Sequence, residues 1–135
     1  MTRVLILFFI VLTITCSFAY KGTKSSSDPA AVINFRSTSI SFGHVTAGKK
    51  ISKEFKFKNT GTDSLRINTV QASDGGTMAY WPKKPIPPGG RDVIKVELGF
   101  TESRSGYQDK EFTVISNAQN NPVVLHLNGY IKKKD

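Results

Sequence analysis

The sequence is poor in cysteine, acid and helical periodicity, and each shortage excludes a class of protein. One cysteine, Cys16, occurs in 135 residues, so an intramolecular disulfide cannot form and a disulfide-stapled mini-protein is excluded. There are two histidines, His44 and His126, with no HxH or HExxH spacing. Scattered surface histidines are a simpler reading than a zinc site built from the pair and a carboxylate. No Gly-x-Ser-x-Gly elbow, Gly-x-Gly-x-x-Gly fingerprint or phosphate-binding loop occurs. Gly75-Gly76 and Gly89-Gly90 read as turn glycines before strands. Asp74 has only Ser73 beside it as a further oxygen ligand, too few for a calcium loop. Beyond the N-terminus no stretch of ten residues carries a helical stripe, and no internal repeat is present. Collagen, coiled coil and polytopic membrane protein find no support. Neither catalysis nor a cofactor is expected.

What is present fits one globular domain. Hydrophobic residues make up 39% of the chain, with nine Phe, four Tyr and one Trp, enough to form a core and to exclude disorder. Val4 to Thr15 is an apolar run of 12, preceded by Arg3 and followed by Cys16-Ser17-Phe18-Ala19. A membrane-spanning helix needs about 20 apolar residues. This shorter run, with its positive start and small residues at Ser17 and Ala19, predicts a secretory signal cut after Ala19. The alternative is a lipoprotein acylated at Cys16, against which stand Thr13 and Thr15. Such processing usually takes Leu at the first of those positions and a small residue at the second. The expected location is therefore periplasmic or secreted. The expected organisation is a signal over 1–19, a polar Ser-rich linker over 20–30 and a domain over 31–135.

The chain carries 19 Lys and Arg against 10 Asp and Glu, a net charge of +9. Only Arg3 falls in the signal, so +8 remains. Export argues against a nucleic-acid partner, and the aromatics do not interleave with the basic residues. In Lys50 to Lys58, Ile51, Phe55 and Phe57 share one parity while Ser52, Glu54, Lys56 and Lys58 share the other. That is a strand with an apolar inside and a solvated outside. Lys132-Lys133-Lys134 reads as a solvated end.

Short strands are predicted throughout: Val32–Phe35, Ser39–Phe42, Ile51–Asn59, Leu65–Val70, Ile94–Leu98, Phe112–Ile115 and Val123–Ile131. Gly43 and Gly48 bracket a turn that holds His44, and Asn59-Thr60-Gly61-Thr62-Asp63 is a concentrated turn signal. Ala72 to Thr77 is polar and glycine-rich. Trp81-Pro82-Lys83-Lys84-Pro85-Ile86-Pro87-Pro88-Gly89-Gly90 excludes an interior strand or helix. About seven short strands joined by Gly, Pro and Asn turns predict an all-β fold, an immunoglobulin-like β-sandwich.

An ordered series of stretches carries a resemblance. It runs Phe42-Gly43 with Gly48, Phe55-x-Phe57-x-Asn59-Thr60-Gly61, Leu65-x-Ile67 and Trp81-Pro82-Lys83-Lys84-Pro85-Ile86-x-Pro88-Gly89. It continues through Arg104-x-Gly106, Ser116-Asn117 and Leu125-x-Leu127-x-Gly129. This series, over about 33–131, resembles an uncharacterised bacterial family of exported immunoglobulin-like domains. It is also similar to the wider hydin/abnormal-spindle/major-sperm-protein-like group. Family members typically carry Ser-Cys-Gly-Cys-Thr before the Trp-Pro-Lys stretch. Here the corresponding residues are Ser73-Asp74-Gly75-Gly76-Thr77, so no thiol or metal role of that box transfers. The resemblance implies fold and export, and no activity.

The proline-rich segment is the candidate contact. A backbone stiffened by proline loses less entropy when ordered on a partner. Tyr80 and Trp81 offer contact area, Lys83 and Lys84 offer charge, and Ile86 completes the set. The opposing reading folds Trp81 over the end of the sandwich. An exposed sheet edge is a second route to a partner. The expected function is a non-enzymatic, exported protein-binding module, in a bacterium a small periplasmic accessory subunit of an outer-membrane or secretion complex. The alternative is a carbohydrate- or peptidoglycan-binding module that stacks sugar on Tyr80 and Trp81. A metal-dependent hydrolase is a remote third class.

Overall fold

Alternating apolar and polar side chains are the strand signal in this chain, and eight segments take it up. The structure is a computed structural model that describes residues 28–101 and 104–135. The expected signal with Cys16, and linker residues 20–27, lie outside the described residues. The strands are β1 (Ile33–Phe35), β2 (Ser39–Thr46), β3 (Lys50–Asn59), β4 (Ile67–Ala72), β5 (Thr77–Tyr80), β6 (Arg91–Gly99), β7 (Gly106–Ser116) and β8 (Val123–Lys132). They form two four-stranded sheets, ordered β1-β3-β6-β5 and β2-β8-β7-β4. Every pairing is antiparallel except β2 with β8.

Parity decides what lies between the sheets. Phe55, Phe57, Ile94, Val96 and Leu98 of the first sheet pack with Phe112, Val114, Leu125, Leu127 and Ile131 of the second. Phe55 and Phe112 meet across the interface with ring centroids 6.4 Å apart. Burying each such side chain stabilises the fold by about 1.5–3 kcal/mol. Among the described residues no helix is long and apolar enough to cross a membrane.

Asn59, at the end of β3, is fully buried and holds three segments together. Its side-chain Nδ2 donates to the carbonyls of Asp63 and Ile86, at 2.8 and 3.0 Å. Its Oδ1 accepts from Gly61 N–H at 3.0 Å and from Val32 N–H at 3.4 Å. Gly61 must be glycine here, because a Cβ would strike the backbone at Ala30, Ala31 and Val32. Ala30, expected as linker, is already tied down: its carbonyl accepts from Thr62 N–H at 2.8 Å.

Three local expectations change. β5 is an eighth strand where none was predicted, between the glycine-rich and proline-rich stretches. β2 continues through Gly43 and His44 to Thr46, past a register shift between Ser41 and Gly43. β7 begins at Gly106 instead of Phe112.

Candidate partner-binding surface

Among the described residues β5 is an edge of its sheet and pairs only with β6. It is entered through Gly76, whose φ of 83° lies in the left-handed region that favours glycine. Alternation then turns Thr77 and Ala79 inward, and Ala79 packs on the core. Met78 and Tyr80 face out, 59% and 47% exposed. Tyr80 Oη donates to Met78 Sδ at 3.7 Å. Lys95 of β6, opposite Tyr80 in register, holds its Nζ 5.9 Å from the Tyr80 ring centroid. The same ammonium pairs with Glu97 at 2.7 Å. That hydrogen bond and charge raise the Lys95 pKa above its ordinary value.

The five residues singled out from sequence separate on this frame. Tyr80, Lys83 and Lys84 are exposed. Trp81 is half-buried against the core, and its Nε1–H finds no acceptor among the described residues. Lys83 lies over the indole, Nζ 3.4 Å from the ring centroid, a cation–π contact that covers the ring. Ile86 is not surface at all. It is 4% exposed and makes a reciprocal backbone bridge with Leu65, 2.8 Å each way. The proline-rich segment therefore folds back on the domain at Trp81 and Ile86 and presents Lys84 outward. Tyr80 faces out from β5, while Trp81, just past the strand, packs partly against the core. Met78 was missed from sequence. The signal that marks it is its period-two spacing from Tyr80.

Two other polar groupings stand apart from this edge. Asp74, in the turn between β4 and β5, pairs with the largely buried Lys110 of β7 and with Arg104, whose Nη1 is 3.4 Å from Asp74 Oδ2. Burial pushes the carboxyl pKa up, but hydrogen bonds and charges from Lys110 and then Arg104 outweigh it. The pKa falls below 3.8. On the outer face of the second sheet, Tyr130 stacks on His44 with centroids 5.5 Å apart and meets Tyr107 edge-on at 5.3 Å. His126 lies 3.4 Å from Asp109. Among the described residues no cluster of His, Cys, Asp and Glu is placed to hold a metal ion.

Two facing four-stranded sheets with these pairings define an immunoglobulin-like β-sandwich. The chain belongs to the family described as "Protein of unknown function (DUF1573)", which matches residues 33–131. No curated protein matches the chain in sequence. Among solved structures it is similar to a protein of unknown function from Porphyromonas gingivalis W83, at 16% identity and TM-score 0.64. That match covers 76% of this chain and 47% of the other, so the chain spans about half the length of that relative. It is also similar to the ASH/PapD-like domain 7 of human CEP192, at 12% identity and TM-score 0.62, covering 79% and 89% of the two chains. A third match is the secreted serine protease VesC from Vibrio cholerae, at 12% identity and TM-score 0.53, covering 74% of this chain and 23% of the protease. At these identities the likeness is one of fold.

Proposed function

We propose that this domain is a non-enzymatic binding module that docks a protein partner along the outer side of β5 and the adjoining Lys84 corner. The observation that carries the reading is the exposure of Met78 and Tyr80 side by side on an edge strand. Two large, largely apolar side chains held in water next to unpaired strand edge are suited to burial under another chain. Lys84 adds a basic corner that speeds encounter with an acidic surface. The N-terminal sequence supports an exported location, periplasmic in a bacterium. There the partner is a subunit of an outer-membrane or secretion complex, and this domain is its accessory.

Lys83 and Lys84 are not equivalent in this reading. Lys84→Glu leaves the melting temperature unchanged, because the side chain is exposed and makes no ion pair or hydrogen bond among the described residues. Lys83→Glu lowers stability by about 0.5–1 kcal/mol through loss of its seat on Trp81. Met78→Ser combined with Tyr80→Ser and Lys84→Glu abolishes capture of the partner from the producing cell while the protein still melts cooperatively. A folded triple variant that retains the partner in full overturns the assignment.

A further inference from the structure

A second group of positive charges lies at the other side of the first sheet. On the outer face of β1, β3 and β6, Arg36, Lys56, Lys58 and Arg91 line an open groove of about 610 Å³. None of the four makes an ion pair among the described residues. One acid, Asp92, lines the groove as well. Glu54 stands opposite Lys95 in register, and Glu97 pairs with Lys95. Asp92 turns its carboxylate to the backbone, where Oδ1 accepts from Val93 N–H at 2.8 Å. Lys58 lies directly opposite Arg91 in the antiparallel register, and like charges so placed repel. Four cations against one carboxylate leave the groove net positive, which suits an anion from outside.

We infer that this groove binds an extended acidic peptide segment of the partner. The inference deepens the protein-binding reading and rests on it for the ligand being a protein. Lys56 and Lys58 are alternate residues of one strand, about 6.6 Å apart along it, the repeat at which an extended peptide presents every second side chain. Arg36, just past β1, and Arg91, on β6, flank them as planar forks suited to carboxylates. The register places Asn34 beside Lys58, and Thr60 completes the end of the groove. Neither side chain makes a hydrogen bond among the described residues, so both are available to a peptide backbone. Edge pairing is not the mode here. The β1 edge is closed by Asn120, whose amide accepts from Ile33 N–H at 3.2 Å and donates to the Ile33 carbonyl at 2.8 Å.

The test is fluorescence anisotropy with the whole mature protein and two labelled octapeptides, one alternating Glu and Val, the other carrying the same residues in two blocks. The alternating peptide binds more tightly, loses affinity at high salt, and weakens about tenfold or more with Lys58→Gln plus Arg91→Gln. That double variant melts about 2 °C higher than the parent because the repulsion is gone, which also shows that it folds. Equal binding of the two peptides, binding unchanged by the double variant, or tighter binding of tripolyphosphate or anionic lipid vesicles overturns the inference. The β5 surface is read separately. A partner still captured through Met78 and Tyr80 while the octapeptides fail removes this inference alone.

Discussion

Asn59 shows how one side chain organises the region around the candidate surface. It is fully buried and binds the turn at Gly61 and Asp63, the carbonyl of Ile86 and the backbone of Val32. Asn59→Ala strands several buried polar groups at once, and a loss of about 3 kcal/mol is expected, a fall in melting temperature of about 10 °C. Differential scanning calorimetry of the variant measures it. Asp74 gives the pH-dependent counterpart. Its pKa is lowered in the fold, so its ion pairs stabilise the protein above pH 3.8 and the contribution disappears as acid carries the pH below that value. Asp74→Asn is therefore less stable than the parent at neutral pH, on the order of 1–2 kcal/mol because Lys110 loses its counter-charge. The gap between their melting curves closes as acid protonates Asp74 in the fold. A gap independent of pH removes the ion pair as its cause.

At the scale of strands, legibility follows what each strand buries. β3 and β8 alternate large apolar with polar residues, so both read directly from sequence, down to Val123, Leu125 and Leu127 on one face. β5 escapes because its pattern is inverted. Thr77 and Ala79 go inward and the bulkier Met78 and Tyr80 go outward, so hydrophobic periodicity points the wrong way. β7 is under-read because its first half is polar, and its inward Lys110 is accommodated only by Asp74, a partner distant in sequence. β2 is cut short because the register shift at Gly43 breaks the alternation. That junction makes its own prediction. A Cβ on Gly129 of β8 would sit 2.5 Å from the Phe42 ring and 2.6 Å from the Gly43 carbonyl. Gly129→Ala costs roughly 2 kcal/mol by overpacking, and Phe42→Leu in the same chain recovers part of it. Chemical denaturation of the two single variants and the double variant gives the coupling. Strict additivity contradicts the contact.

At the scale of the molecule, the sandwich was readable because its core obeys simple parity, whereas the surface was readable only in part. Trp81 and the lysines are conspicuous in a proline-rich run. Which of them face water depends on Ile86 bridging Leu65 and on Lys83 settling over the indole, contacts that composition does not encode. The result is one sheet with an apolar edge at β5 and a basic groove at β1, β3 and β6, both facing away from the core. The decisive measurement is site-specific photo-cross-linking in the producing cell, with the photoreactive residue at position 78 or 80 and, as controls, at Gln71 and Val124 of the second sheet. Docking through β5 predicts one discrete protein adduct from positions 78 and 80 and none from the controls. No adduct at either β5 position, or the same adduct from Gln71 or Val124, contradicts it.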